Sequence, residues 1–426
     1  MSFAAAALNG AKVPKLVVDT CRRARLRYAS GMLARRHFLA AAAAGVAVPA
    51  LARSVDLRLP GGPSVRPLSD AFPSKRALIL QRTTPPLLET PMAAFDNGIF
   101  TPNDRFYVRW HWPFPTEVDP VKHRLSVDGH VAKRLDLSLA ALKKLPHFEI
   151  AAVNQCAGNS RGLFQPRVAG AQWAHGAMGN ARWTGVRLRD VLDAAGVRPG
   201  AVAVRFSGLD APPIDDAPDF AKSLGIDHAR DGEVMIAWAM NGVPLPLLNG
   251  FPLRLVVPGW YSTYWVKMLD RIEVLAAPDD NFWMAKSYLI PDTPDGDVAP
   301  GTKDFAKRPI TTMVPRSFVT SIADGAAVPW RPQLPVGGIA FGGDSGVVKV
   351  EVSSDGGANW VTARLGPDAG TYSFRRFDAD VAAARGPAAL MTRCTNAAGA
   401  VQAMTPIWNP SGYRRGQVET VRVRLI

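Results

Sequence analysis

The feature that most constrains the fold of this 426-residue chain is a change of sequence pattern near residue 308. Beyond Arg308, short segments of alternating apolar and polar residues, such as VVKVEVS and VRVRLI, are separated by turns rich in Gly, Asp and Asn. An alternation with period two is typical of strands whose two faces meet different surroundings. Repetition of such strands predicts an all-β sandwich over residues 309–426.

The part of the chain before this change mixes helix and strand signals. Phe148–Val153 predicts a buried strand leading into Cys156, whereas TGVRLRDVLDAA at Thr184–Ala195 predicts an amphipathic helix that ends before Gly196. Residues 53–105 are Pro-rich and predict an extended arm with little regular structure. The sequence therefore predicts an α+β domain over residues 53–308, which begins with this arm and ends in a Pro/Asp/Gly-rich linker.

Residues 1–52 have the composition of an export signal. Arg35-Arg36 precedes an apolar stretch that ends in Ala50-Leu51-Ala52. The stretch is too short and too weakly hydrophobic to span a bilayer as a stable helix. A buried amphipathic helix is the alternative, but the stretch shows no polar face at a helical period. We therefore predict a twin-arginine signal peptide over residues 1–52, a periplasmic mature protein and no membrane span.

The basic charge of the chain does not by itself indicate nucleic-acid binding. Of the formal net charge of +14 at pH 7, a surplus of seven comes from the eight Lys/Arg and one Asp of residues 1–52. No zinc-knuckle, RNP-like or basic-region pattern is present, and a basic balance also suits anionic substrates or an acidic partner. The cysteines Cys21, Cys156 and Cys394 form no CxxC, CxxCH or zinc spacing. The sequence thus predicts no nucleic-acid partner and no haem in this chain.

Two local patterns carry polar chemistry. Cys156 follows the predicted buried strand in the turn CAGNSR, where Gly158 allows a close backbone approach and Arg161 favours a thiolate. The alternative is an inert buried thiol. In FYVRWH, Arg109 and His111 lie two residues apart, so on a strand they project to one face and suit an anion pocket. An exposed pair is the alternative there.

A third pattern runs from Asn249 to Tyr261 and continues to Lys267. It predicts a strand and a Gly turn with basic residues, Arg254 and Lys267, at either end. These two side chains could bind a phosphate or face the solvent.

Together these segments resemble the sulfite oxidase family of molybdenum enzymes, with the greatest similarity to bacterial periplasmic sulfite dehydrogenases. The resemblance extends over nearly all of the chain after the leader. The matching segments are Tyr107–His111, Cys156–Arg161, Gly176–Trp183, Met240–Gly259, Val266–Leu269, Asn281–Tyr288, Ser354–Gly357 with Trp360, and Pro406–Asn409. The resemblance implies a sulfite-oxidase-type molybdopterin-binding domain followed by an immunoglobulin-like dimerisation domain.

The resemblance also implies which residues hold the cofactor, molybdenum-molybdopterin. Cys156 would be the thiolate ligand of the metal, since thiolate is the soft donor that such a centre takes from protein. His111 would lie beside the pterin or the metal. Arg254 and Lys267 would bind the phosphate end of the pterin, and Asn249 stands where the family often has a histidine.

The residues implied for the substrate pocket are Arg109, Arg161 and Tyr288, again with His111 alongside. Arg375 falls near a further arginine of the family.

The activity implied by the resemblance is oxidation of sulfite to sulfate, with electrons passed to a separate c-type cytochrome. The protein would be a homodimer or a heterodimer with a cytochrome subunit. Two alternatives stay open: a related molybdenum enzyme acting on a sulfane or S-oxide substrate, and a cofactor-free periplasmic binding protein.

Overall fold

The strand predicted before Cys156 extends over His147–Gln155 in the computed structural model, which describes residues 53–75 and 77–426. It pairs antiparallel with Met178–Arg187 along its whole length, so that Gln155 lies opposite Met178. Its last four residues are buried. This register places Cys156, directly after the strand, beside Ala177 of the neighbouring chain segment.

Two sheets contain most of the strand residues that the structure describes before residue 290. The first contains, in spatial order, Val243–Pro244, Met235–Met240, Met178–Arg187 and His147–Gln155, with Arg254–Val256 paired to Met235–Met240. The second contains Ala221–Gly225, Ala203–Gly208, Leu269–Leu275, Arg124–Gly129 and Leu135–Ser138. Apolar side chains from both sheets belong to one hydrophobic core, in which Trp183 and Trp265 are almost completely buried.

The helices of the described residues are short, and the fold consists mostly of strands. The α-helices are Leu139–Leu142, Leu188–Ala195, Ile226–Ala229 and Phe282–Ala285. The 3-10 helices are Pro73–Lys75, Met92–Phe95, Arg161–Leu163, Leu247–Asn249 and Ser262–Tyr264.

The helix predicted over Thr184–Ala195 begins four residues later than predicted. Residues 184–187 continue the strand Met178–Arg187, and the helix comprises Leu188–Ala195. The prediction of the start was wrong because Gly185 packs directly on the next strand: a Cβ there would lie 2.7 Å from the Cα of Ala237. The predicted end was correct, since Gly196 has a positive φ of 68° and its N–H donates to the Leu192 carbonyl at 3.0 Å.

Residues 53–105 contain more regular structure than predicted. Ser54–Asp56 pairs with Val65–Pro67, and Ile79–Arg82, Leu87–Glu89 and Val108–Arg109 form a three-stranded sheet. The apolar side chains of Ile79, Leu87 and Leu88 are buried, which explains why this Pro-rich segment forms strands. The arm therefore helps to hold the strand that carries Arg109.

The part of the chain after residue 309 forms the short strands that the sequence predicts, arranged in two sheets around a second hydrophobic core. One sheet contains Arg316–Val319, Gln333–Phe341, Arg375–Ala382 and Arg364–Leu365. The other contains Ala327–Val328, Thr420–Leu425, Gly386–Asn396, Val347–Ser353 and Val361–Thr362. Lys307–Pro309 pairs with Leu289–Pro291 across the predicted domain boundary. The boundary and the immunoglobulin-like type of the sandwich stay predictions.

The signal peptide predicted over residues 1–52 lies outside the described residues. Within residues 53–75 and 77–426, no helix combines the length and the apolar character needed to cross a membrane.

Candidate active site

A cavity lies where the strand Val108–Arg109, the turn after Cys156 and the segment before Lys267 meet. It contains about 490 Å³ of space not filled by protein atoms, part of it open to solvent. Seven of the nine residues predicted for the site line it: Arg109, His111, Cys156, Asn249, Arg254, Lys267 and Tyr288. The other lining residues are Tyr107, Val108, Asn154, Ala157, Phe220, Leu248, Ser262, Thr263 and Trp265.

Cys156 begins a tight turn whose backbone is hydrogen-bonded to the adjacent strand region. Its N–H donates to the Ala177 carbonyl at 2.9 Å, and its carbonyl accepts from the Asn159 N–H at 2.9 Å. The Asn159 side-chain oxygen accepts from the Ala177 N–H at 3.0 Å, which closes the turn. The Cys156 side chain is only 7% exposed, so a thiolate there would meet a bound group in the cavity rather than bulk water.

His111 and Tyr288 form a hydrogen-bonded pair in the cavity wall. The Nε2 atom of His111 is bonded to the Tyr288 hydroxyl, and the imidazole stacks on Phe220 with ring centroids 3.8 Å apart. Burial, together with the positive charges of Arg109 and Lys267, holds the pKa of His111 well below its ordinary range. A neutral imidazole can accept the hydrogen of the Tyr288 hydroxyl, which orients the phenol.

Arg254 and Lys267 give one side of the cavity its positive charge. The Nη1 of Arg254 donates to the Asn249 carbonyl at 3.0 Å, and the guanidinium lies 4.8 Å from the centroid of the Trp183 ring. Burial lowers the pKa of Arg254 to about 10 and that of Lys267 to about 7. The negative charge of Asp210 partly opposes the lowering of the Lys267 pKa, and burial raises the pKa of Asp210 itself to about 6. Because the pKa of Arg254 stays well above neutral pH, the two cations together outweigh the single acid that faces them.

Several buried polar atoms of the cavity residues have no hydrogen-bond partner within the described part of the chain. They are Arg109 Nη1, Asn154 Nδ2, Asn249 Oδ1, Arg254 Nε and Thr263 Oγ1. Each buried unpaired group costs about 1–3 kcal/mol, and most of these atoms are donors. They fit an anionic group rich in acceptor oxygens, such as the phosphate of a molybdopterin, and the Cys156 thiol fits molybdenum as a soft donor. Among residues 53–75 and 77–426, no three His, Cys, Asp or Glu side chains are arranged to hold a metal ion.

Arg161 lies beside the cavity rather than in its lining. Its Nε–H donates to the Ser411 carbonyl at 3.1 Å. Three glycines surround the side chain: a Cβ on Gly158 or Gly170 would lie 2.6 Å from a guanidinium nitrogen, and a Cβ on Gly412 would lie 2.7 Å from Cγ. Only the absence of these side chains makes room for Arg161 in this conformation.

The structure does not bring Arg375 to the cavity, which corrects the predicted position. Arg375 begins the strand Arg375–Ala382, and its guanidinium donates to the carbonyls of Gly366 at 3.1 Å and Val347 at 3.0 Å. These bonds hold the side chain within the C-terminal sheets.

The sequence analysis missed several lining residues. Ser262 and Thr263 directly follow the predicted PGWY turn and precede Lys267, so two hydroxyls between basic residues were a usable signal. Phe220 and Trp265 carry no such signal, because an aromatic residue in a cavity wall has the same local pattern as one in a core.

Two family models match the chain. The model described as "Oxidoreductase molybdopterin binding domain" matches residues 111–283, and the model described as "Mo-co oxidoreductase dimerisation domain" matches residues 307–421. With the buried thiol and the cationic cavity, they define the class of the protein as a molybdopterin-binding oxidoreductase.

Curated relatives identify the family within this class of oxidoreductases. Sulfite oxidase from Arabidopsis thaliana is 32% identical over 289 residues, which are 65% of this chain and 72% of the plant protein. Mitochondrial sulfite oxidase from Mus musculus is 34% identical over 372 residues, which are 82% of this chain and 66% of the mouse protein. The chain belongs to the sulfite oxidase family. It covers less than two thirds of the length of the mouse relative and 51% of the human one.

A solved structure with a similar fold is the sulfane dehydrogenase SoxCD from Paracoccus pantotrophus. The TM-score is 0.67 at 27% sequence identity, over 80% of this chain and 84% of the solved one.

Proposed function

We propose that this chain oxidises sulfite to sulfate with a molybdenum-molybdopterin cofactor bound through Cys156. The observation that carries the proposal is that the Cys156 thiol opens into a cavity whose basic side chains retain unpaired donors. The similarity to sulfite oxidases supports the substrate. In the overall reaction, sulfite gains one oxygen atom from water and gives up two electrons, and the water releases two protons.

The cofactor would be held by two groups of cavity residues. Cys156 supplies the soft thiolate ligand, and Arg254 and Lys267 neutralise the phosphate, with Arg254 Nε and Thr263 Oγ1 free to bond it. When bound, the cofactor supplies the two-electron redox chemistry that side chains lack. The protein supplies orientation, charge and the exclusion of water.

The substrate would be bound by polar residues in the cavity lining and at its edge. Arg109 has a free Nη1 and can bond a sulfite oxygen with a charge-assisted hydrogen bond. His111 stays neutral and fixes the Tyr288 hydroxyl, so that the phenol presents a directed polar group to the anion. Arg161, held by its three glycines, adds a second positive charge at the edge of the site.

The proposal also includes the route of export, the electron acceptor and the oligomeric assembly of the protein. The composition of residues 1–52 supports export by the twin-arginine route to the periplasm. A separate c-type cytochrome would accept the electrons. The dimerisation model over residues 307–421 supports a homodimer built through an immunoglobulin-like sandwich, and a heterodimer with a cytochrome subunit is the other arrangement.

A second candidate function is oxidation of a sulfane sulfur. The structural similarity to the sulfane dehydrogenase SoxCD favours it. A sulfane substrate would use the same cofactor and the same thiolate ligand, so only activity separates the two candidates.

The test is the molybdenum content per chain of purified protein, with sulfite-dependent reduction of ferricyanide or cytochrome c on the same sample. About one molybdenum per chain with sulfite turnover supports the proposal. Molybdenum with turnover of a sulfane substrate alone would favour the second candidate. No molybdenum in a fully matured preparation would contradict both and favour a cofactor-free binding protein.

A matched pair of variants tests the ligand assignment. Cys156→Ser should lose molybdenum and turnover while it stays folded. Cys394→Ser makes the same change at a buried thiol in the C-terminal core and should keep both. Unchanged molybdenum and activity in Cys156→Ser would refute the assignment of Cys156.

A further inference from the structure

A short loop near the C-terminus, residues 409–415, reaches the candidate site from the all-β part of the chain. Asn409 is fully buried and holds the loop closed: its side-chain amide donates to the Tyr413 carbonyl at 2.9 Å and accepts from the Tyr413 N–H at 3.1 Å. The same amide also donates to the Gly296 carbonyl at 3.1 Å. Tyr413 is therefore presented on a loop with a fixed backbone.

The loop is hydrogen-bonded to two of the chain segments that carry site residues. The Arg414 N–H donates to the carbonyl of Ala157, the residue after Cys156, at 3.1 Å. The Ser411 hydroxyl donates to the carbonyl of Leu289, the residue after Tyr288, at 3.2 Å. The loop thus connects the cysteine turn to the tyrosine segment.

The Tyr413 ring contacts two site residues at once. It lies parallel to the Tyr288 ring, with centroids 5.4 Å apart and an interplanar angle of 7°. The Arg161 guanidinium carbon lies 5.0 Å from the Tyr413 centroid, within the range of a cation–π contact. Tyr288 itself has a positive φ of 57°, a backbone conformation that side-chain packing must hold in place.

We infer that Tyr413 is a positioning residue of the active site: its ring fixes the Tyr288 phenol and the Arg161 guanidinium relative to each other, and so sets the affinity for the anionic substrate. The inference rests on the proposed function, because it assumes that Arg161 and Tyr288 face a sulfur oxyanion. It assigns to the C-terminal part of the chain a direct contribution to the substrate pocket.

The test compares Tyr413→Phe, which keeps the ring, with Tyr413→Leu, which removes it. Tyr413→Leu should raise the KM for sulfite on the order of tenfold, with a smaller change in kcat, because stacking and cation–π contacts to the two anion-binding groups are lost. Tyr413→Phe should stay within about twofold of the wild type, since a phenylalanine ring makes both contacts. A purely structural role would lower the active fraction, and with it kcat, and leave KM unchanged.

Tyr372 provides the matched control. It is a half-buried tyrosine in the same part of the chain, its hydroxyl donates to Glu233 at 2.5 Å, and it does not line the cavity. Tyr372→Phe and Tyr372→Leu should leave the KM for sulfite unchanged. A KM for Tyr413→Leu equal to that of the wild type, or a KM for Tyr413→Phe as high as that of Tyr413→Leu, would overturn the inference.

Sulfate binding to the full chain, measured by titration calorimetry, separates this inference from the proposed function. If the wild type binds sulfate and Tyr413→Leu weakens that binding by a similar factor, the inference holds even where sulfite is not oxidised. If the wild type does not bind sulfate, or the variant binds it equally well, the inference fails, while sulfite turnover alone decides the proposed function.

Discussion

The substitution Arg254→Met should affect the cofactor-free and the cofactor-bound protein in different ways. Burial lowers the pKa of Arg254 from its ordinary value to about 10, which corresponds to a cost of about 3 kcal/mol for holding the charge in the cavity wall. Methionine removes that cost. It also leaves the carbonyls of Asn249 and Trp265, which now accept from Arg254, without these donors, at about 1–3 kcal/mol each. The two effects partly cancel, so the free energy of unfolding of the cofactor-free protein should change by no more than about 3 kcal/mol.

The cofactor-bound protein should in addition lose cofactor affinity. A charge-assisted hydrogen bond from a guanidinium to a phosphate contributes about 1.5–3 kcal/mol, and Arg254 has an unpaired Nε to form one. Loss of one such bond weakens cofactor affinity about 10- to 100-fold. Chemical unfolding of the cofactor-free variant and molybdenum per chain after dialysis measure the two quantities separately.

Arg316→Met is the matched control. Arg316 is also fully buried, its pKa is likewise lowered to about 10 by burial, and its Nε and Nη1 are unpaired. It does not line the cavity, and its Nη2 donates to Ser160, in the turn that follows Cys156, and to Glu419. The control should keep its molybdenum. A strongly destabilised Arg254→Met protein that nevertheless retains molybdenum as well as the wild type would refute the assignment of Arg254 to the cofactor.

Two further predictions concern stability. Burial raises the pKa of Glu89 to about 7. The folded state therefore keeps a proton that the unfolded state releases above about pH 4.5. As a result, the free energy of unfolding falls as the pH rises from about 4.5 to about 7. The free energy of unfolding of the wild type should be up to about 3 kcal/mol lower at pH 7.5 than at pH 5 because of Glu89, and Glu89→Gln should remove this difference. An equal difference in the wild type and the variant would contradict the prediction. Arg375→Ala should lower the free energy of unfolding by about 1–2 kcal/mol through two lost hydrogen bonds. It should leave the KM for sulfite unchanged, whereas a raised KM would restore Arg375 to the substrate pocket.

The sequence predicted elements well where a local pattern determines the structure. The alternating segment VVKVEVS forms the strand Val347–Ser353, and the apolar run before Cys156 forms part of the strand His147–Gln155. The prediction failed at residues 184–187, which have a helical sequence pattern but form the end of the strand Met178–Arg187. The decisive contact there is the close approach of Gly185 to Ala237, and a contact between distant segments leaves no trace in the local pattern.

Most residues that were predicted from distinctive chemistry lie together in one cavity, whereas residues that act through packing were not predicted. His111, Cys156 and Tyr288 are far apart in sequence, and motif resemblance alone predicted that they share a cavity. Tyr413 escaped notice because a tyrosine in a Gly-rich loop resembles many surface turns. Arg375 was assigned to the pocket because it falls near a further arginine of the family, yet the resemblance does not reveal that its guanidinium is already hydrogen-bonded to backbone carbonyls.

The Arg161 side chain shows why the site needs both parts of the chain. The three glycines that make room for it are Gly158 in the cysteine turn, Gly170 twelve residues further on, and Gly412 in the C-terminal loop. If the C-terminal loop were absent, Arg161 would lose the Ser411 carbonyl that accepts its Nε–H. The Arg161 side chain would then sample several rotamers and would lose conformational entropy on binding an anion. The cysteine turn would also lose the bond from Arg414 to Ala157. The predicted boundary near residue 308 therefore divides the sequence pattern but not the candidate active site, whose geometry depends on contacts made across it.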